Sequence, residues 1–178
     1  MIWISSQTLS DAFSPSYGVI ERGLRSGATH DPFTPMPELR PFHLAFPVND
    51  LEAARHFYGT VLRCPQGREA TGVWIDYDLF GHQIVAHYDP ALERPVRARN
   101  AVDGDAVPVP HFGVVLTLAQ FDELAERLQA DDATRWVIEP RTRFAGESGE
   151  QRTMFFLDPA GNALEFKAFA NDADLFAT

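Results

Sequence analysis

The chain writes one pattern twice. Residues 40–48, RPFHLAFPV, and 108–116, PVPHFGVVL, share a layout of proline, short gap, histidine and apolar run. Short apolar runs bounded by prolines read as buried strands. Each is followed by a helical pattern. After Asn49 or Asp50, which can cap a helix, LEAARHFYGTVL (51–62) places Leu51, Ala54, Phe57, Tyr58, Val61 and Leu62 at helical spacing. AQFDELAERLQA (119–130) does the same with Phe121, Leu124, Ala125 and Leu128. Strands are predicted at 73–79 and 82–88 in the first half, and at 135–140, 152–158 and 162–169 in the second, the last two joined by the turn Pro159-Ala160-Gly161. The expected fold is therefore α+β, two successive βαβββ units. Such a unit leaves one sheet face uncovered and buries it against its copy.

The halves align at specific points. His43 falls on His111, Gly81 on Gly161, Val85 on Glu165 and His87 on Lys167. The expected organisation is a loosely ordered extension over 1–38, modules over 39–89 and 110–170, a polar connecting loop over 90–109 and a tail over 171–178. The extension shows no sustained period of 2 or 3.6, and Met36 just before the first strand is a candidate natural start. No charged start followed by an apolar stretch reads as a signal peptide, and no run approaches the ~20 apolar residues of a membrane span. The net charge of −10 argues against nucleic acid and anionic membranes as partners. One cysteine, Cys64, excludes an intrachain disulfide and fits a reducing cytoplasm.

Chemistry gathers at three positions. Glu165 lies inside a strand of Ala, Leu, Phe, Lys and Phe, where a lone carboxylate costs several kcal/mol unless paired or metal-bound. His43 and His111 head the two first strands. Two imidazoles and one carboxylate form the donor set that holds Fe(II) or a similar divalent metal on one side, with other coordination positions open. Lys167, the only lysine, lies two residues after Glu165 and hence on its face. It either holds a substrate anion or oxyanion there, or extends outward at the sheet edge. His87 and His82 are candidate proton carriers, since imidazole titrates near neutral pH. His56, on the polar side of the first helix, and His30 are expected to play no part.

The segments FHLAFPV-ND-LEAARHFY, GHQIVAH, VPHFGVVL and FFLDPAGNALEF resemble the vicinal oxygen chelate superfamily, which includes glyoxalases and extradiol dioxygenases. The chain is most similar to small stand-alone bacterial members described as extradiol-type dioxygenases. The resemblance covers about residues 40–170. It implies paired βαβββ modules forming an open curved mixed sheet around a divalent metal, with His43, His111 and Glu165 as ligands and homodimerisation common. Two departures stand out. A fourth ligand, a carboxylate on the last strand of the first module in glyoxalase-type members, is replaced by Val85. The tyrosine of ring-cleaving members is missing, since RTMFFLD offers only Phe155 and Phe156, while His82 lies close to their second histidine.

The expected activity is that of a non-haem Fe(II) dioxygenase on a small aromatic or enolisable substrate, with Mn, Ni, Co or Zn as possible replacements for iron. Loops 89–109 and 143–151 are expected to roof the cavity. A glyoxalase-like isomerase, epimerase or thiol transferase would use the same ligands. A non-enzymatic, drug-sequestering binder is the third reading.

Overall fold

The computed structural model describes residues 39–93, 98–102 and 104–176. The expected N-terminal extension and the candidate start at Met36 lie outside these residues, as does part of the connecting segment.

The first half forms β1 (His43–Val48), a helix, β2 (Gln66–Ala70), β3 (Trp74–Leu79) and β4 (His82–Tyr88). The sheet order is β1-β4-β3-β2, with β1 parallel to β4 and the other pairs antiparallel. Period-2 alternation explains the faces. Phe46 and Val48 of β1 are buried while His43, Ala45 and Pro47 are exposed. The helix begins as α1 (Leu51–Ala54), where the Asp50 side chain accepts from the backbone N–H of Glu52 and Ala53. It continues over Arg55–Val61 in the wider π form, marked by Leu62 N–H donating to the Phe57 carbonyl at 2.9 Å. Phe57 and Tyr58 are adjacent in sequence and both buried. The wider turn narrows the angle between neighbouring side chains, which helps both aromatics to reach the core.

The second half repeats the order. Residues 111–116 run beside β9 (Ala163–Phe169), parallel, with bridges Phe112–Leu164 and Val115–Lys167. The helix α2 (Leu118–Gln129) starts with a reciprocal cap between Thr117 and Gln120. The strands β7 (Arg135–Arg143), β8 (Gln151–Leu157) and β9 form an antiparallel sheet in that order. Leu44 faces Ile84 in the first sheet as Phe112 faces Leu164 in the second. His43 and His111 therefore hold equivalent places, as do Val85 and Glu165.

Gln66–Ala70 pairs as β2 and completes the first βαβββ unit. One expectation needed correction. The connecting segment, expected as polar loop, contains a hairpin of β5 (Ala98–Val102) and β6 (Asp105–Val109). Prolines at 95 and 108 masked the short alternation that forms it. Among the described residues no helix is long and apolar enough to cross a membrane.

One core joins the halves. Phe57 and Tyr58 share one buried cluster with Phe121, Leu124 and Leu128 of α2 and the inward residues of β8 and β9. Phe156 and Phe166 stack at 5.8 Å, and Phe57 meets Phe156 edge-on at 6.1 Å. A polar tie runs through the same core: the Tyr58 hydroxyl donates to the Asp158 carboxylate at 2.9 Å. Asp158 opens the β8–β9 turn and also accepts from the Asn162 backbone and side-chain N–H groups at 2.6 and 2.8 Å. Burial raises the Asp158 pKa despite these donors, and burial followed by the Asp158 charge pushes the Tyr58 hydroxyl well above its usual range. Turn chemistry alone thus understates Asp158, which fastens one half to the other. Gly161 completes the turn at φ +93°.

Cys64 is buried in the same core. Burial, then the charge of Asp78, pushes its thiol up to about 12. The folded value exceeds the unfolded one, so its contribution to stability is whole below about pH 8.5 and is lost as pH rises through the folded value. A thiol reagent at pH 8 is expected to leave the native chain untouched and to label one group per chain in urea. Native labelling at the unfolded rate would show that this packing is wrong.

Candidate metal centre

The outer face of the second sheet carries the chemistry. Phe112, Leu164 and Phe166 point into the core, so alternation turns His111, Glu165 and Lys167 the other way. Glu165 pairs with Phe155 across β8–β9, and Thr153 with Lys167. These side chains surround a cavity of about 150 Å³, which Val107 of the hairpin and Ile138 of β7 also line. Larger clefts exist, among them one beside Cys64 and Asp78, but none draws His111 and Glu165 together.

His111 Nε2 stands 3.2 Å from Glu165 Oε2, and that carboxylate side chain is only 10% exposed. The other oxygen, Oε1, accepts from the Thr153 hydroxyl at 3.1 Å and lies 3.3 Å from Lys167 Nζ. His111 Nδ1 lies 2.7 Å from the Pro108 carbonyl. A carbonyl only accepts, so Nδ1 carries a proton and Nε2 is the ring nitrogen turned to Glu165. Phe155 meets the ring edge-on at 4.9 Å and holds its plane.

The first sheet prepares His43 the same way by other means. Asp76 is 6% exposed and accepts from Arg68 Nη2 at 3.1 Å. An ionised Asp76 only accepts, so the Gln83 amide nitrogen, 3.1 Å away, donates to it. The Gln83 oxygen then faces His43 Nδ1 at 2.8 Å, which makes Nδ1 the donor and frees Nε2. Hydrogen bonds of this kind, fixing one ring nitrogen and leaving the other as a lone pair, accompany metal-ligating histidines.

An imidazole nitrogen and a carboxylate oxygen facing each other at 3.2 Å can share a cation, either a proton or a metal ion. Donors each about 2.1 Å from one ion, at roughly a right angle, stand about 3 Å apart, so His111 and Glu165 fit a divalent metal. His43 does not join them within one chain. It lies on the other sheet and does not line their cavity, and among the described residues no set of three or more His, Cys, Asp or Glu is close enough to hold one ion. His82 Nδ1 accepts from the Phe42 N–H at 3.1 Å, and alternation turns His82 to the face opposite Gln83. His87 is exposed on the His43 face, opposite Pro47 and Trp74. Neither lines the cavity. Lys167 does, together with Arg141 and Arg143 of β7, which sequence reasoning passed over. Their signal was the spacing Arg-Thr-Arg in a strand, which sets both on one face.

Comparison with known proteins follows this geometry. The family model of the Glyoxalase/Bleomycin resistance protein/Dioxygenase superfamily matches residues 40–166. The chain belongs to this superfamily. A glyoxalase/bleomycin resistance protein/dioxygenase from Alicyclobacillus acidocaldarius is similar in structure, with a TM-score of 0.62 and 31% identity, over 76% of this chain and 96% of that one. The fosfomycin resistance protein FosX from Listeria monocytogenes shares the fold at 18% identity and a TM-score of 0.55, over 74% of this chain and 93% of that one. Lactoylglutathione lyase from Agrobacterium tumefaciens does so at 17% and 0.51, over 80% of this chain and all of that one. No curated protein sequence matches the chain significantly. The mixed α+β architecture with open sheets is that of the superfamily.

Proposed function

We propose that the chain is a metal-dependent enzyme whose ion is held by His111, Glu165 and His43, and that its reaction is a non-haem Fe(II) dioxygenation of a small aromatic or enolisable substrate. The observation that carries this reading is the facing of His111 Nε2 and Glu165 Oε2 at 3.2 Å, with the opposite ring nitrogen tied down. Two imidazoles and a carboxylate suit Fe(II), and Mn, Co, Ni or Zn can occupy the same donors. A divalent ion held by these residues would supply Lewis acidity to the substrate.

The chain's own groups do the rest. Thr153 holds the carboxylate, and Lys167 sets a positive charge beside it for a developing oxyanion. His43 stands on the exposed face of the other sheet, so this reading requires its Nε2 to come from a second copy of the chain. His87 comes with that face as the proton carrier, whereas His82 is occupied by the Phe42 backbone.

One observation favours a second reaction on the same ligands. β8 presents Phe155 to the cavity, and among the described residues that line it there is no phenol donor for ring cleavage. An isomerase, epimerase or thiol transferase needs none. Anaerobic Fe(II) reconstitution, followed by catechol and 2-oxo-acid panels with oxygen uptake as readout, separates these. One iron per chain with substrate-dependent oxygen uptake is the expected result. Turnover without oxygen uptake replaces dioxygenation by the second reaction. Less than about a tenth of an ion per chain after Fe(II) addition ends the metal reading and leaves a small-molecule binder.

A further inference from the structure

One strand of the hairpin touches the second half at three successive points. Asp105 of β6 pairs with Arg141 of β7. Val107 lies two residues on and hence on the same face. It is 6% exposed and packs with Ile138 and Phe155 in an apolar cluster separate from the main core. The Pro108 carbonyl then accepts from His111 Nδ1 at 2.7 Å. These contacts hold Val107 against the cavity of about 150 Å³ that also contains His111 and Glu165. The lining falls into two groups. Val107, Ile138 and Phe155 are apolar and packed together. His111, Glu165 and Thr153 are polar and joined through the Glu165 carboxylate.

Resting on the metal reading above, we infer that Val107 is a specificity-determining residue that limits the substrate to a single ring. The β5–β6 hairpin is a wall of the site, and the Val107 side chain sets its depth. An apolar cavity of about 150 Å³ holds one benzene molecule. A ring with one polar edge suits the two groups of the lining. Its apolar flank lies against Val107, Ile138 and Phe155, and its polar edge meets Thr153 and Glu165. A second fused ring has no room unless Val107 gives way. The Asp105 and Pro108 contacts on either side of Val107 oppose that movement. A shift of β6 large enough to admit a bulkier ligand would also withdraw the carbonyl that orients His111, so size and ring placement are set by one strand.

The test is calorimetric titration of the metal-free full chain with phenol, and with 2-naphthol as its fused two-ring counterpart. Wild type is expected to bind phenol at least about tenfold more tightly, the scale on which an apolar pocket rejects excess volume. Val107→Ala is expected to erase this preference by admitting 2-naphthol, and Val107→Phe to weaken phenol at least about tenfold. Asp105→Asn, which releases the hairpin from Arg141, is expected to narrow the preference while leaving the cavity lining intact. Equal affinity for the two ligands in wild type overturns the inference. So does a ratio unchanged in Val107→Ala or Asp105→Asn, or phenol binding weaker than roughly 10 mM. If a Val107 variant fails to fold, the wild-type ratio and Asp105→Asn decide. Mn(II) titration of the same preparations reads the metal separately. Size selection without Mn(II) uptake loses only the metal, and Mn(II) uptake without size selection loses only the role of Val107.

Discussion

Gly113→Ala is expected to lower the melting temperature by roughly 6–12 °C and to abolish metal uptake. Gly113 lies on the segment that places His111, directly against β9. A Cβ built there would stand 1.6 Å from the Glu165 carbonyl oxygen and 2.6 Å from its carbon. Both atoms are backbone in a packed sheet, so the strand itself must move. The ladder around this point runs Glu165 N–H to Phe112 carbonyl at 2.9 Å and Leu116 N–H to Lys167 carbonyl at 2.7 Å. Parting the strands weakens these bonds and shifts both proposed ligands at once. Overpacking of this sort costs about 3 kcal/mol, a large share of the 5–15 kcal/mol typical of a domain. The first half supplies the internal control. Ala45 occupies the equivalent place opposite Val85, in an unbroken ladder that has room for a methyl. Calorimetry and Mn(II) titration check the prediction. A variant that melts within 1 °C of wild type (a tolerance set by ordinary reproducibility, about 0.3 kcal/mol) and binds Mn(II) normally would refute the close approach.

Glu165→Gln is expected to separate folding from metal binding. Glutamine has the same size and can still accept from Thr153, so the melting temperature should hold within a few degrees. The charge that binds a cation is gone, and affinity is expected to fall by at least ~100-fold, beyond what loss of a supporting hydrogen bond costs. His111→Ala should lose the ion equally. Electron paramagnetic resonance of added Mn(II) reads both. A full ion retained by Glu165→Gln would remove this residue from the donor set.

Much of this was legible in the chain because the repeat is written in periodicity. The apolar alternation in β1, β4, β8 and β9 located the strands, and the Gly81–Gly161 alignment matched Val85 with Glu165, which hold equivalent places in the two sheets. What stayed hidden was of two kinds. The β5–β6 hairpin has strands of five residues and a proline in β6, too weak a signal to stand out from a polar loop. The other kind is contact across the fold. The Asp76–Gln83–His43 chain draws on three strand positions whose side chains share no sequence motif. Nor could spacing tell that His43 and His111, equivalent in the repeat, sit on separate sheets without meeting in one chain. Equivalence in a duplicated sequence fixes a residue's place within its own copy, not the distance between copies.

The exchange of an acid between neighbouring strands makes the two halves unequal partners. In the second half the carboxylate stands on the last strand, free to bond a cation. In the first it has stepped sideways to Asp76, behind Gln83, where it can only steer a ring. On the proposed ligand set, that asymmetry sets the expected stoichiometry: a single ion for every polypeptide, since Asp76 is turned to Arg68 and Gln83.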